Sequence, residues 1–385
     1  MTCSPTRRRG SSKVQSADIQ AAERRNRNDC GVHFTAQRLQ TYPVCVDSPR
    51  SFHVGNCRDH SNHRPPLIPE DAHFRLICYF STQTVARMQP ALLLSLLFLS
   101  ASAEFTEDFG NWLSENFGDD VRTRLERKDL GSKGSFGGKA TRDEALTNQP
   151  VVFVHGVSDT AGDKMLAAAN YYKTKGYNQA ELYGTTYANG AQGNPLQWAQ
   201  YSMECAYVKQ VRALIVAVRL YTGRAVDVVG YSLGVPVTRK AILGGKCVDT
   251  GEDLGRPLTR FIDTYVGIAG PNRGISLQVG GISIPGCLFS IIPVCNTKTG
   301  LYSGFCPSES EYLQDINKQS NYEGKNVFSI YSKADQLIGY QVCNRITTQV
   351  PGQQGEKVFA DKNHDDTFYD SYETQRQMIL NHNVV

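Results

Sequence analysis

The sequence predicts an α/β protein: a mostly parallel, doubly wound sheet flanked by helices, with a Cys-rich excursion. Three observations predict it. Short runs rich in β-branched and aromatic residues, such as Pro150-Val-Val-Phe-Val154, are what strands buried on both faces require. Between them lie stretches whose apolar residues recur every three or four positions, as in helices that cover a sheet. The two kinds alternate along the chain, which is the order of βαβ units.

The elements follow in order. Val151–Val154 is the first strong strand. Lys164–Lys175 is an amphipathic helical stretch, and Ala180–Tyr183 a second strand. Pro195 opens a long helix through Tyr221, since proline suits a helix start. Its apolar positions Trp198, Tyr201, Cys205, Val208, Val211, Ile215 and Val218 share one face, and Gly223 ends it. Ala225–Val229 is a buried strand, and helix resumes over Pro236–Leu243. Phe261–Ile268 and Asn326–Tyr331 are further strands. From Gly270 to Ser320 the periodicity is lost, and three cysteines suggest a disulfide-stapled excursion. Within it, Ile282–Val294 reads either as a lipid-facing surface or as a covered apolar segment.

The chain of 385 residues also has a seam. Residues 1–87 hold thirteen Lys and Arg against seven Asp and Glu and show no sustained period, so they read as a non-native or disordered extension. Residues 88–103 then form a signal peptide: Met88, the apolar run Ala91–Ser100, and the small-residue cleavage pattern Ala101-Ser-Ala103. That run is too short to span a bilayer. A buried helix and an organelle transit peptide are the competing readings of this region. Residues 104–147 read as a polar, Gly-rich N-terminal arm, and 148–385 as the main domain. Beyond the leader the chain is nearly neutral, which argues against a nucleic-acid partner. Six cysteines follow Met88, an even number that fits a disulfide framework in an oxidising compartment, with pairing unreadable. Their spacing and the scarcity of His argue against a zinc site. Gly131–Lys139 is Gly-rich but lacks phosphate-loop spacing.

The chemistry concentrates at Gly230-Tyr-Ser232-Leu-Gly234, directly after a strand and before a helix. A serine on so sharp a strand-to-helix turn is raised above the sheet edge, and small residues are needed on both sides. Serine needs a base, and only His155, His364 and His382 follow Glu104. His155 ends the first strand, far upstream. His382 lies at the chain end. His364, late in the chain, fits the order Ser…Asp…His. Asp335, in the loop after Asn326–Tyr331, is the acid that orients it. Asp263 lies within a strand, Asp315 in a helix-like stretch, and Asp365 and Asp366 too close to His364. The oxyanion hole falls to the backbone N–H groups of Leu233 and Val157, with Gly156 allowing close approach. His155 is then a structural histidine of that loop, and Asp159 caps the following helix or ties the loop down.

These segments, with Gly270-Pro-Asn-Arg-Gly274, Tyr331-Ser-Lys-Ala-Asp335 and Asn363-His-Asp365, resemble the class 2 lipase family over about residues 148–385. The Cys-rich stretch around Gly300–Ser310 resembles its nematode members in particular. The resemblance implies an α/β-hydrolase fold, hydrolysis of triacylglycerol or other lipid esters, and no cofactor. By motif position it puts the nucleophile on Ser232, the acid on Asp335 and the base on His364. The expected protein is a secreted serine hydrolase whose partner is a lipid ester, met in water or at a lipid–water interface. A short-chain carboxylesterase, an acyltransferase, a protease and an inactive lipid carrier are the rival readings.

Overall fold

In the computed structural model the described residues are 104–384, apart from 191–196, 198–199, 280–281, 290–291 and 307. The extension and the signal peptide expected at 1–103 lie outside them. Seven strands form the main sheet: β1 (Ser135–Phe136), β2 (Val151–Val154), β3 (Leu182–Thr185), β4 (Val226–Tyr231), β5 (Ile262–Ile268), β8 (Asn326–Ser332) and β11 (Gly355–Phe359). Their spatial order is β1-β3-β2-β4-β5-β8-β11. Every pairing is parallel except β1 with β3. Two small antiparallel hairpins are set apart: β6 (Ser276–Val279) with β7 (Ile282–Pro285), and β9 (Gln341–Val342) with β10 (Arg345–Ile346).

The strand runs are apolar throughout because both faces are covered. Val152 and Val154 face a core shared with helices α1 (Glu107–Phe117), α4 (Cys205–Thr222), α5 (Gly234–Leu243) and α6 (Glu311–Asn317). Val151 and Phe153 face a second core, shared with α3 (Leu166–Thr174), α7 (His364–Tyr369) and α8 (Tyr372–Asn381). The period of two along each strand thus divides its side chains between two layers.

Four readings of the sequence change. The helix expected from Pro195 begins at Cys205. Tyr201–Glu204 are not helical, and the Met203 N–H goes to the Thr299 carbonyl (2.7 Å). Pro195 and Trp198 lie outside the described residues. The stretch read as an arm is structured: α1, α2 (Asp119–Glu126) and β1 bury Phe105, Phe109, Leu113 and Leu125. The Thr106 hydroxyl caps α1 by accepting from Phe109 N (3.3 Å). The helix at Lys164 opens as a π-turn, Ala161–Met165. Finally, β11 escapes sequence detection because it is a half-covered edge strand, Gly-Glu-Lys-Val-Phe, with mixed polarity. No helix among the described residues is long and apolar enough to cross a membrane.

All six described cysteines pair: Cys205–Cys247, Cys287–Cys295 and Cys306–Cys343. The second closes a loop within the excursion, and the third ties the excursion to the β9–β10 hairpin. The first lies outside it, holding the start of α4 to the segment after α5.

At the opposite edge of the sheet from the strand C-termini, β4 carries a buried acid. Asp227 accepts from the Thr264 N–H (2.9 Å), but burial and the neighbouring Asp263 charge push its pKa up to about 8. The folded state therefore keeps a proton that the unfolded chain, with an ordinary carboxyl, releases near pH 4. The contribution of Asp227 to stability therefore falls as pH rises between about 4 and 8. Asp227→Asn keeps the acceptor oxygen and removes the titration. It should melt above wild type at pH 9, with the difference shrinking towards pH 5. Parallel melting-temperature curves from pH 4 to 9 would refute this.

Candidate active site

Because six strands run parallel, their C-termini open on one edge, and the loops that leave them meet there. The loop after β2 carries His155, Gly156, Val157 and Asp159. The turn after β4 carries Ser232. The loop after β8 carries Asp335, and the segment after β11 leads into His364.

Ser232 has φ +52°, in the left-handed region that a non-glycine residue enters only when its surroundings compel it. Its N–H is held by the Ile268 carbonyl of β5 (2.8 Å), and its own carbonyl accepts from Val235 N (3.0 Å) as α5 begins. The flanking glycines are explained by space. A Cβ on Gly234 would lie 2.3 Å from the His155 carbonyl oxygen. One on Gly230 would press on the Gly234 carbonyl and Val235 Cα at 3.3 Å. One on Gly156 would meet Ser232 Cβ at 2.9 Å.

The Ser232 hydroxyl lies 2.9 Å from His364 Nε2, and His364 Nδ1 lies 2.7 Å from Asp335 Oδ2. A carboxylate only accepts, so Nδ1 carries the proton and Nε2 is free to accept from the serine hydroxyl. All three are buried, with Asp335 4% and His364 3% exposed. The other oxygen of Asp335 accepts from the Leu337 and Ile338 N–H groups (3.0 Å each), which fixes the carboxylate plane. His364 opens α7, whose N-cap is Asn363, accepting from Asp366 N (2.7 Å). The His364 N–H is taken by the Gln336 side chain (3.0 Å).

The competing residues are engaged elsewhere. Asp263 pairs with Lys325 and His382 at the far edge, and Asp315 with Lys240. His155 is locked in the loop. Its Nδ1 donates to the Gly156 carbonyl (2.7 Å), its Nε2 accepts from Tyr187 N (3.0 Å), and its ring stacks on Tyr187 at 4.1 Å. Burial lowers its pKa to about 4, so it stays neutral while holding both bonds. Val157 and Leu233 pack their side chains into the first core. Among the described residues, neither backbone N–H is taken by a protein acceptor. Asp159 does not cap the following turn, whose N-cap Thr160 makes no side-chain bond. It forms an ion pair with Lys164 instead (3.2 Å).

Sequence reasoning missed two supports. Arg239 of α5 is wholly buried and pairs with the equally buried Glu323 (2.9 Å). The same guanidinium donates to Asn272, Asn317 and the Ile316 carbonyl, locking α5 to the Gly270–Gly274 loop and to α6. Lys164 bridges Asp159 and Asp365, and Asp365 also accepts from the Tyr231 hydroxyl (2.6 Å). Each depends on a pair far apart in the chain, 84 positions for Arg239 and Glu323 and 201 for Lys164 and Asp365, a separation that local pattern does not carry.

Gly234→Ala should destabilise the protein by about 2 kcal/mol or more, because the clash is with the backbone carbonyls of Val154 and His155 rather than with a side chain that could swing away. Thermal unfolding checks this; an unchanged melting temperature would mean that the β2 loop yields freely.

A family model for class 2 lipases matches residues 148–377. No curated protein matches the chain. Among solved structures, the chain is similar to the mature form of a Bacillus licheniformis lipase at 12% identity and a TM-score of 0.41, covering 64% of this chain and 97% of that one. It is also similar to a monoacylglycerol lipase of Paleococcus ferrophilus at 14% identity and a TM-score of 0.37, covering 62% and 98%. With the family match running through every segment that carries the buried serine, histidine and aspartate, the chain belongs to the class 2 lipases.

Proposed function

We propose that this protein is a secreted triacylglycerol lipase that cleaves carboxylic esters through an acyl-enzyme on Ser232. One observation carries the reading: a buried, hydrogen-bonded Ser232–His364–Asp335 relay built on a left-handed elbow. The Ser232 oxygen attacks the ester carbonyl carbon while His364 Nε2 takes the hydroxyl proton. The resulting imidazolium is held by Asp335. The tetrahedral oxyanion is stabilised by the N–H groups of Leu233 and Val157. Collapse breaks the bond to the alcohol oxygen, which leaves with the proton from His364. Water then gives its proton to His364 and attacks the acyl carbon. The second collapse releases the fatty acid and returns the proton to Ser232.

Two features support lipid esters and secretion. Leu277, Ile284, Phe289, Ile292, Phe305 and Leu337 are exposed, Phe305 by 75% and Phe289 by 63%. Leu277 and Ile284 lie on the β6–β7 hairpin, Phe289 and Ile292 follow it in the chain, and the hairpin is bonded to the loop of Asp335 and Leu337 through Ser276 N and the Ile338 carbonyl (2.9 Å). An apolar rim tied to the acid's own loop suits a substrate presented in a lipid phase. The complete pairing of the described cysteines suits an oxidising compartment.

The test is hydrolysis of p-nitrophenyl butyrate and palmitate, and of emulsified triacylglycerol, by the full chain beside Ser232→Ala and Asp335→Ala. Long-chain turnover should be abolished by Ser232→Ala and reduced on the order of 10⁴-fold by Asp335→Ala. The rate should also jump once triacylglycerol exceeds its solubility. Turnover of butyrate alone would make the protein a short-chain carboxylesterase. No turnover by the folded wild type would favour a lipid carrier.

A further inference from the structure

The ammonium of Lys164 lies where three segments of the candidate site converge. It is 2.8 Å from Asp365, the residue after His364, and 3.2 Å from Asp159, two residues after Val157. It also sits over the ring of Tyr231, the residue before Ser232, at 4.8 Å from the centroid. The Tyr231 hydroxyl donates to the same Asp365 oxygen that takes the lysine. The lysine side chain is 12% exposed and that of Asp159 11%. Burial opposes the charge of Lys164, but Asp159 and Asp365 outweigh it and hold its pKa above the usual range. None of these contacts reaches the serine, so the group acts through others.

We propose that Lys164 is a positioning residue for ester hydrolysis: it clamps the Val157 loop, the elbow and the first turn of α7 at one spacing, keeping the oxyanion donor and His364 in place about Ser232. The inference rests on the serine-hydrolase reading. The physical case is electrostatic. Without the ammonium, the largely buried Asp159 loses its counter-charge and faces Asp365, whose side chain is 55% exposed, and the repulsion between the two carboxylates loosens the hold of the β2 loop on α7. A displacement of about 1 Å at such a site costs on the order of 100-fold in rate. The uncompensated Asp365 would also sit beside His364 and favour its protonated form. The other titratable groups facing this cluster are Asp335 and Tyr231 around His364, Asp163 around Asp159, and Tyr369 around Lys164. His155 nearby is neutral.

The experiment measures pH profiles of kcat and kcat/KM on p-nitrophenyl butyrate for the full chain, below each variant's melting temperature. Lys164→Met should lower kcat about 10- to 100-fold with KM within about twofold of wild type. It should also move the acid limb to higher pH. Asp365→Asn, which keeps the acceptor oxygen for Tyr231, should move the limb to lower pH. Adding Asp159→Asn and Asp365→Asn to Lys164→Met should return the limb towards wild type and restore part of kcat. Loosened packing alone would not shift the limb in opposite directions. A Lys164→Met enzyme with wild-type kcat and acid limb overturns the proposal. So does one that loses kcat and melting temperature together with the limb unmoved. If Lys164→Met does not fold, an unmoved limb in Asp365→Asn overturns it. A wild type without ester turnover, or a Ser232→Ala variant that retains it, overturns the serine reading and this inference together. Normal wild-type behaviour with an indifferent Lys164 overturns only the inference.

Discussion

The arrangement around Ser232 depends on one contact between backbones. The chain leaves β4, turns through a residue at φ +52° and enters α5 so closely behind the β2 loop that Gly234 faces the His155 carbonyl with no room for a side-chain carbon. That approach forces the turn, and the turn lifts the serine oxygen out of the sheet edge. It also brings the start of α5 against the loop of Gly156 and Val157. Strain of this kind survives only where the surroundings over-determine it. Here the Ile268 carbonyl, the locked His155 ring and the Arg239–Glu323 pair behind α5 all contribute.

The relay is held just as firmly from the other side. Asp335 is fixed by two backbone N–H groups and His364 by the helix cap of Asn363, so neither side chain must reorganise to face the serine. Under the proposed mechanism such preorganisation matters, because the charge these bonds would stabilise exists only transiently. Two ionic groups, Arg239 and Lys164, lie behind the relay on opposite layers. Arg239 is wholly enclosed and satisfied by oxygens from three segments. Lys164 is near the surface and joins Asp159 of the β2 loop to Asp365 in the first turn of α7. The first stiffens the helix that follows the serine. The second spans the segments that flank it.

How much was legible in the sequence varies with the range of the interaction. The buried strands announced themselves because each is covered on both faces and so reads as an unbroken apolar run. The elbow was legible because its glycines answer to local sterics. Asp335 and His364 could be placed because topology restricts them to loops after particular strands. The start of α4 was misread. The 3.6-residue period continued upstream through Tyr201, but bonds such as Met203 N to the Thr299 carbonyl and Glu204 N to the Ser202 carbonyl hold that segment out of the helix. The helix of residues 107–117 does carry a helical period, in Phe109, Trp112, Leu113 and Phe117 behind the Thr106 cap, and lay within reach of the sequence; that of residues 119–126 has few apolar residues, and its burial comes from the neighbours it meets.

The sequence by itself determined the α/β class, the strand-turn-helix that carries Ser232 and the residue types able to form a relay, since these follow from local backbone geometry and hydrophobic period. The tertiary structure alone decided which cysteines pair, which apolar residues of the excursion remain exposed, that Arg239 meets Glu323, and that Lys164 joins Asp159 to Asp365. The physical reason is range. Ion pairs, disulfides and exposure are set by where distant segments come to rest once parallel strands have gathered their loops on one edge.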